Sequence, residues 1–383
     1  MEKKRSLFFD TSLIYFVVIA GFVLIRILNN VINVGALGGN IFSVIIQVGL
    51  MLLVPFFMYK FIRKKNTKTV LEEFHIKKIN IKAVLITILI GIVVYFMNLA
   101  VASFFNIFIV GTGYDPSFGM SSATGEGYST LAFFGDLILT ALLPGVCEEF
   151  CHRGLLVNGY KQLTPKKTII LVGFLFGLMH LNIEQFFYAC VIGMFLTFLV
   201  YLTDSIIPSM IVHFLNNALG LYFAFAEKNN LPFGNLSKSI YGLFENNPII
   251  VFGIIICGVL LILALLIFLC FMLLKQTRVK DIKDIAQKAL ASKQREMLLE
   301  SFDLDVEEIN KEQGITNATP EVTFSKEVIT NGRRNIFVDF NFGPNNLMAG
   351  KYKKPSLKDK CFLFGTIAIG IIITISTLIW GII

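Results

Sequence analysis

Six ionisable side chains of this sequence fall well inside long apolar runs, away from the outer ends of those runs. They are Glu148, Glu149, His152, Arg153, His180 and His213. An ionisable group at the centre of a bilayer costs about 2.5–3.5 kcal/mol on the insertion scale, so such residues are functional candidates. A buried carboxylate that acts as a general base can activate water, and imidazoles beside it can orient that water or bind a developing oxyanion. The residue types therefore point to hydrolysis.

Spacing indicates which of these side chains pair and how deep they lie. Glu149 and Arg153 are four residues apart on a helix and can form an ion pair. Glu148, turned by about 100° around the helix, is left for another partner. Counted from the nearest loops at about 1.5 Å per residue, Glu148, His180 and His213 lie roughly 20, 20 and 12 Å from one bilayer face. Three helices can thus bring one carboxylate and two imidazoles into one layer.

Two further side chains share helix faces with the histidines. Phe176 lies four residues before His180, and Asn217 lies four after His213, so a ring can support one imidazole and an amide can accompany the other. The alternative is that these polar residues are hydrogen-bonded pairs that hold helices together, as is common in membrane bundles. We favour the functional interpretation, because two adjacent glutamates at mid-membrane are an expensive way to join helices.

The elements that position these residues are predicted to be membrane helices. The 383-residue chain is 55% hydrophobic and 16% charged, with a mean hydropathy of +0.72. Soluble proteins carry about 25% charged residues, so this composition excludes a soluble enzyme. It also excludes a disordered chain and a disulfide-stapled secreted domain.

Nine apolar runs meet or approach the roughly 20 residues that a helix needs to cross a bilayer. They are 11–29, 40–60, 83–111, 131–160, 168–182, 185–203, 205–226, 248–274 and 361–382. The predicted fold is therefore all-α: a polytopic integral membrane bundle of about nine transmembrane helices, with a charged insert between the last two.

Lysine and arginine are concentrated in alternate loops. Thirty lie before the first run and in 60–82, 161–167 and 275–360, whereas two, Lys228 and Lys238, lie on the other side. Because cytoplasmic loops are rich in Lys and Arg, this predicts a cytoplasmic N-terminus and an outside C-terminus. The same loops account for the net charge of +8 without a nucleic-acid partner. The bias toward Ile, Phe, Lys and Asn favours a bacterial source, so the predicted location is a bacterial plasma membrane.

Three motifs make the sequence similar to a known family. Glu148–Arg153, Phe176–His180 and His213–Asn217 resemble, in this order, the E-E-x-x-x-R, F-x-x-x-H and H-x-x-x-N motifs of the CAAX-protease and bacteriocin-processing (CPBP or Abi) family. That family includes the type II CAAX prenyl endopeptidases. The resemblance covers about residues 130–225, and it departs from the family pattern at His152, where members usually have an aromatic residue.

The resemblance implies an intramembrane endopeptidase that cuts a membrane-associated or leader-type peptide. Glu148 and His180 would activate water, and His213 and Asn217 would stabilise the oxyanion. The implied supporting residues are Glu149, Arg153 and Phe176. The sequence does not indicate that the substrate is prenylated. The alternative is a non-proteolytic scaffold, immunity or transport protein that keeps the fold, but the intact motif set favours the enzyme.

A zinc mechanism is the alternative to a glutamate base. Glu148, His180 and His213 match the ligand set of a His₂Glu zinc site with one open position. The usual H-E-x-x-H device is absent, and Asn217 suits an oxyanion pocket better than a coordination shell. We therefore expect no cofactor, with Glu148 as a metal-free base in a cavity open toward the cytoplasm.

These features divide the chain into five predicted parts. They are N-terminal transmembrane helices (1–130), a CPBP-like catalytic core (131–226), a loop with the eighth helix (227–274), a cytoplasmic insert (275–360) and the last helix (361–383). In the insert, an Asn-Gly pair at 331–332 between β-prone stretches is typical of a hairpin. Its charge and length favour a regulatory or partner-binding role over a second enzyme.

Three other charged residues lie near the outer ends of the predicted helices. Arg26 and Asp136 have similar predicted depths and can pair with each other, although snorkelling to the interface is the simpler expectation for each. Glu184 follows His180 by four residues and can orient its imidazole, or it can be a solvated loop charge.

Overall fold

The computed structural model describes residues 5–32, 35–115, 128–234, 257–277 and 355–382, and every regular element in these ranges is a helix. The α-helices are α1 (Leu7–Ile32), α2 (Gly35–Val44), α3 (Val54–Ile62), α4 (Thr67–Glu73), α5 (Ile81–Val110), α6 (Thr130–Asp136), α7 (Leu143–Glu149), α8 (Val157–Gly159), α9 (Pro165–Met179), α10 (Ile183–Thr203), α11 (Ile207–Lys228), α12 (Cys257–Thr277) and α13 (Cys361–Ile382). Three π-helical segments, Ile45–Leu53, Leu137–Leu142 and Phe150–Leu156, continue α2 into α3, α6 into α7 and α7 into α8. A short 3₁₀ helix, Lys358–Lys360, precedes α13.

Eight helical stretches of the described residues are long and apolar enough to cross a membrane. In chain order they are Leu7–Asn29, Gly38–Ile62, Ile81–Val110, Thr130–Gly159, Ile183–Thr203, Ile207–Lys228, Cys257–Thr277 and Lys358–Ile382. The predicted all-α membrane bundle is confirmed, and the predicted count of nine is approximate. The run at 168–182 forms α9, whose 15 residues extend about 22 Å, less than the roughly 30 Å hydrocarbon core.

Several predictions concern residues outside those that the structure describes. They are the hairpin at 329–338, nearly all of the insert at 275–360, and the first part of the run at 248–274. By internal contacts the chain divides into two units, Met1–Gln276 with Gly350–Ile383, and Thr277–Ala349. The five-part division of the chain stays a prediction.

Polar contacts join two loops at one end of the bundle. His75 Nδ1 lies 2.8 Å from Asp204 Oδ1, Lys77 Nζ contacts the other carboxylate oxygen, and the Ile206 N–H donates to His75 O at 3.0 Å. Burial raises the pKa of Asp204, but hydrogen bonds from His75 and Lys77 and their charges lower it to about 2. The loop after α4 and the turn between α10 and α11 therefore lie at the same face.

Other chain segments end at this face too. Asn80 Nδ2 donates to Gln276 O at 2.9 Å, and Ser6 Oγ donates to Asp359. We call this end the basic face. Its described lysines and arginines are Arg5, Lys60, Arg63, Lys64, Lys65, Lys68, Lys77, Lys78, Lys82, Lys161, Lys166, Lys167, Lys275, Lys358 and Lys360.

The opposite end, the far face, is defined by contacts between the remaining helix ends. The Asp115 N–H donates to Gly381 O at 2.8 Å, and Asn229 Nδ2 donates to Tyr128 O at 2.9 Å. Among the described lysines and arginines outside the core, only Lys228 and Arg26, toward the end of α1, lie near this face. The charge asymmetry in the sequence thus corresponds to two ends of one bundle.

Helices α9 and α10 approach closely because α9 carries a glycine at the contact. A Cβ atom on Gly177 would lie 2.7 Å from Phe186 O and 2.3 Å from Cys190 Sγ. Small residues let membrane helices pack backbone to backbone, where lipid provides no hydrophobic driving force for association. This contact fixes the end of α9 that carries Phe176 and His180.

Candidate active site

The adjacent glutamates at the end of α7 have different partners. Glu149 is fully buried, and its Oε1 lies 2.7 Å from Arg153 Nη1 and 2.9 Å from His213 Nδ1. Glu148 lines a cavity and accepts a hydrogen bond from Gln47 Nε2 at 2.8 Å. The predicted ion pair of Glu149 with Arg153 is present, and Glu148 faces elsewhere, as the helical rotation between neighbours requires.

The contact between Glu149 and His213 fixes the proton on one ring nitrogen. An ionised carboxylate only accepts hydrogen bonds, so His213 Nδ1 carries the proton that is donated to Glu149. His213 is 4% exposed and lines the same cavity as Glu148. A carboxylate behind an imidazole fixes the orientation of the ring.

Arg153 is fully buried but has three partners. Besides its bond to Glu149, Nη2 donates to Gly193 O at 2.8 Å, and the guanidinium lies 4.5 Å from the centroid of the Phe176 ring. Charge-assisted hydrogen bonds and a cation–π contact offset the cost of burying the charge. Arg153 does not line the cavity, so it joins the Phe150–Leu156 segment to α9 and α10.

One aromatic ring contacts three imidazoles. The Phe176 centroid lies 5.1 Å from that of His152, 5.2 Å from that of His180 and 5.5 Å from that of His213, in each case edge to face. Edge-to-face packing is a favourable geometry for aromatic rings. Phe176 therefore does more than the predicted wall for His180, because it sets the spacing of both motif histidines.

His180 follows the last residue of α9, and its contacts fix its tautomer. Its Nδ1 lies 3.0 Å from Phe176 O and donates to this carbonyl, which leaves Nε2 as an acceptor in the neutral ring. Arg26 Nη1 donates to His180 O at 3.2 Å from α1. The next residue, Leu181, has a φ of 52°, and this left-handed conformation turns the chain toward α10.

Two contacts that the sequence allowed between charged residues are not formed. Arg26 donates to the His180 carbonyl, whereas Asp136 accepts a hydrogen bond from the Tyr128 hydroxyl, so these two residues do not pair. The two residues have similar predicted depths in the bilayer, but their helices, α1 and α6, pack against other parts of the bundle. Glu184 is not the partner of His180 Nδ1, because α9 ends at Met179 and helical spacing is lost across the turn.

His152, the departure from the family pattern, is buried outside the cavity. Its Nδ1 lies 2.8 Å from Glu148 O and its Nε2 lies 3.0 Å from the Tyr15 hydroxyl of α1. Sequence reasoning missed Tyr15, since a tyrosine in the first apolar run is an ordinary residue there. The additional imidazole links α1 to the helix of the two glutamates and adds no histidine to the cavity.

The four predicted catalytic residues line one cavity of about 790 Å³. They are Glu148, His180, His213 and Asn217, and Phe176 lines it with them. This volume lies within the roughly 300–1,000 Å³ of ligand pockets. The arrangement offers a carboxylate, an accepting imidazole nitrogen, a carboxylate-backed imidazole and an amide around one space, which are the parts needed to activate water and bind an oxyanion.

The described residues contain no group of three His, Cys, Asp or Glu side chains placed to hold a metal ion. Glu148 Oε1 is bound to Gln47, and the Nδ1 atoms of His180 and His213 are bound to protein oxygens. Hydrogen bonds from Nδ1 to a carboxylate or a backbone carbonyl are also common for zinc-ligating histidines, so these contacts do not decide between the two mechanisms. The absence of a cofactor stays a prediction.

The region that contains the three motifs is similar to a known protein family. The family model of Rce1-like proteins, described as type II CAAX prenyl endopeptidase Rce1-like, matches residues 130–219. We refer to the matched residues 130–219 as the Rce1-like domain. The match contains all three motifs and confirms the resemblance inferred from them. No curated protein and no solved structure matches the chain.

The cavity wall includes two amides that sequence reasoning missed, Asn98 outside the Rce1-like domain and Asn216 within it, in a row with the predicted Asn217. Asn98 Nδ2 of α5 donates to Asn216 Oδ1 at 3.1 Å, Asn216 Nδ2 donates to Asn217 Oδ1 at 3.2 Å, and Asn217 Nδ2 contacts Thr140 O at 3.1 Å. An amide nitrogen has two hydrogens, so Asn217 retains one for a ligand. Uncharged amides within apolar runs were the signal that could have revealed this row.

Gln47 also lies outside the Rce1-like domain, in the π-helical segment Ile45–Leu53. It lines the cavity, donates to Glu148, and its buried Oε1 has no hydrogen-bond partner among the described residues. π-helical turns often occur at functional sites. The amide thus holds one Glu148 oxygen in place and presents an acceptor of its own.

We expect Gln47→Leu to lower kcat/KM for peptide cleavage about 10–100-fold, because a hydrogen bond to a charged group contributes about 1.5–3 kcal/mol. The measurement is the cleavage rate of purified protein in lipid. Gln162→Leu, the same substitution in the loop before α9, is the matched control and should keep the wild-type rate. An unchanged kcat/KM in the Gln47 variant would show that the Gln47 amide has no role in the reaction.

Proposed function

We propose that this protein is an intramembrane endopeptidase that hydrolyses a peptide bond in a membrane-associated or leader-type substrate. The observation that carries the proposal is that Glu148, His180, His213 and Asn217 line a single cavity within an Rce1-like domain. Such a domain supports protease activity of the CAAX type, and eight apolar helices make the chain an integral membrane protein. Chemistry at mid-membrane also explains why these residues are retained at their energetic cost.

In the proposed reaction Glu148 and His180 act on one water molecule. Glu148 accepts a proton from the water, whose oxygen attacks the carbonyl carbon of the scissile bond. His180 Nε2 accepts the second hydrogen bond of the water, since Nδ1 is bound to the backbone, and so aims the oxygen. When the C–N bond breaks, Glu148 passes its proton to the leaving amine.

His213 and Asn217 act on the other side of the carbonyl. The tetrahedral oxyanion accepts a hydrogen bond from Asn217 and one from the protonated His213 ring, which Glu149 stabilises through Nδ1. Glu149 remains paired with Arg153 throughout, so it supports the ring and does not exchange protons with water. This assigns different work to two adjacent glutamates.

We propose that the basic face is cytoplasmic, which places the N-terminus inside and the C-terminus outside. Gln276 and Asp359, which lie at the two ends of the predicted insert at 275–360, both contact this face. A cytoplasmic partner that binds the insert would then act from the side of the membrane that carries the basic loops.

The proposal is tested by finding the substrate. Membranes from cells that contain the wild-type protein and from cells that contain Glu148→Gln are compared by mass spectrometry of membrane-associated peptides. We expect one or a few precursors to accumulate uncut only with the variant. Identical peptide sets in both membranes would favour a non-proteolytic scaffold, immunity or transport protein.

We expect the purified protein to contain no stoichiometric zinc and to keep its activity in the presence of a chelator. The physical reason is that the described residues include no group of three ligands placed for a metal ion, and that Asn217 beside His213 suits an oxyanion pocket. Elemental analysis of protein purified without a metal-affinity step is the measurement. A metal mechanism would be correct if each chain contains one zinc, if chelation removes both the zinc and the activity, and if adding zinc restores the activity.

A further inference from the structure

The cavity lies on one side of the layer that holds the reactive groups. α5 begins at the basic face and ends at the far face, and it lines the cavity only from its middle onward, with Tyr95, Asn98, Leu99 and Ala102. α10 begins at the far face and contributes residues only from its first half, namely Gln185, Tyr188, Ala189 and Ile192. Both helices thus place the cavity in the half of the bundle nearer the far face.

The other helices that line the cavity also do so with residues in the half of the bundle nearer the far face. The second span enters the bundle from the far face at Gly38 and lines the cavity through Ser43 and Gln47. In α11, the residues beyond His213 that line it lie toward Lys228, at the far face. Counted along their helices, the lining residues nearest the basic face are Glu148, Phe176, Ile192 and His213, so they form the floor of the cavity.

The basic side of this floor is packed protein. From Glu148 to Gly159 the chain continues for about 16 Å of helix, and the residues from Phe150 to Gly159 are all buried. At the end of this stretch Asn158 Nδ2 donates to the Tyr59 hydroxyl at 2.8 Å, and that hydroxyl donates to Glu73 at 2.6 Å. A peptide coming from the basic face would have to break this network to reach Glu148.

The wall on the far side suits an extended peptide. Asn98, Asn216 and Asn217 form a row of amides along it, and Thr140 at the end of this row is exposed. Amide side chains can donate to and accept from the backbone of a bound chain, whose groups need partners in a site that excludes water. Asn98 Oδ1 is buried without a partner among the described residues, so it is available to a backbone N–H.

We infer that the substrate enters from the extracytoplasmic half of the membrane, as an extended peptide segment of an exported or membrane-anchored chain. The inference rests on the proposed protease function and on a cytoplasmic basic face. It reverses the expectation of a cavity open toward the cytoplasm: the sequence showed the depth of Glu148 from the basic loops, but not which side of Glu148 is filled.

Single cysteines on a cysteine-free background test the route of access in intact cells with a membrane-impermeant maleimide. Leu139→Cys and Leu221→Cys report the cavity wall, Leu231→Cys reports the far face, and Lys64→Cys and Lys167→Cys report the basic face. We expect the first three to label from outside. The two lysine positions should label only in inverted vesicles.

The inference fails if the cavity cysteines behave like Lys64→Cys and label only in inverted vesicles. It fails as well if the cavity cysteines label from neither side of the membrane. It also fails if Lys64→Cys labels in intact cells. Labelling does not depend on catalysis. It is therefore measured in the Glu148→Gln variant as well as in the protein that keeps Glu148. If the cavity cysteines label from outside but the protein cleaves no peptide, the inferred access route stands and the proposed protease function is wrong.

Discussion

Glu148→Gln is expected to abolish measurable peptide cleavage, a loss of about 10⁴-fold or more, while the protein still inserts and folds. The amide keeps the size of the side chain and can still contact Gln47, but it cannot accept a proton from water. His180→Ala and His213→Ala should be as severe, because residues that act as a unit lose nearly all activity when any one is removed. The measurement is kcat/KM on the identified substrate, with thermal unfolding in detergent as the check on folding.

A histidine outside the cavity provides the matched control. His152→Phe places the aromatic residue that the family usually has at this position, and the ring does not line the cavity, so most activity should remain. Asn217→Ala should lose about 10²–10³-fold, as for one oxyanion donor. Near-normal cleavage by the Glu148 variant would instead assign these side chains to helix packing.

Gly177→Ala is expected to lower the proposed peptide cleavage strongly, although it changes none of the proposed reactive groups. The added Cβ would lie 2.7 Å from Phe186 O, a backbone atom that cannot move aside alone, so α9 must shift away from α10. That shift displaces Phe176 and His180, and a misplacement of about 1 Å can cost 10²-fold in rate. We expect at least this loss, with a free energy of unfolding lowered by about 1–3 kcal/mol.

Gly135→Ala is the control for this substitution. Gly135 also lies in a helix of the Rce1-like domain, but among the described residues no atom outside its own stretch of helix lies within 4 Å of the position that its Cβ would take. Its variant should match the original protein in rate and in unfolding temperature. Equal rates for both glycine variants would show that the spacing of α9 and α10 does not set the position of His180.

Local spacing predicted the contacts that lie within one helix. The pair of Glu149 with Arg153 and the shared face of Phe176 and His180 both follow from the rise and rotation of an α-helix. The motifs also singled out residues that the fold brings to one cavity, although they come from separate helices. Residue types that are rare inside lipid therefore carried most of the information about the site.

The contacts missed from the sequence are those between helices distant in the chain. Tyr15 and Gln47 come from the first two spans, and nothing in their local pattern shows that they meet His152 and Glu148. Apolar length also gives only an approximate number of spans. α9 is apolar enough to be predicted as a crossing, yet its turn at Leu181 ends it early.

The ion pair of Glu149 and Arg153 has a consequence for biogenesis. Because both side chains come from one helix, the fourth span can leave the translocon with its opposite charges already neutralised by each other, before any later helix has been synthesised. The carbonyl of Gly193 and the ring of His213 become available only as α10 and α11 follow. The order of synthesis thus leads from a charge pair that lipid tolerates to an assembled active site.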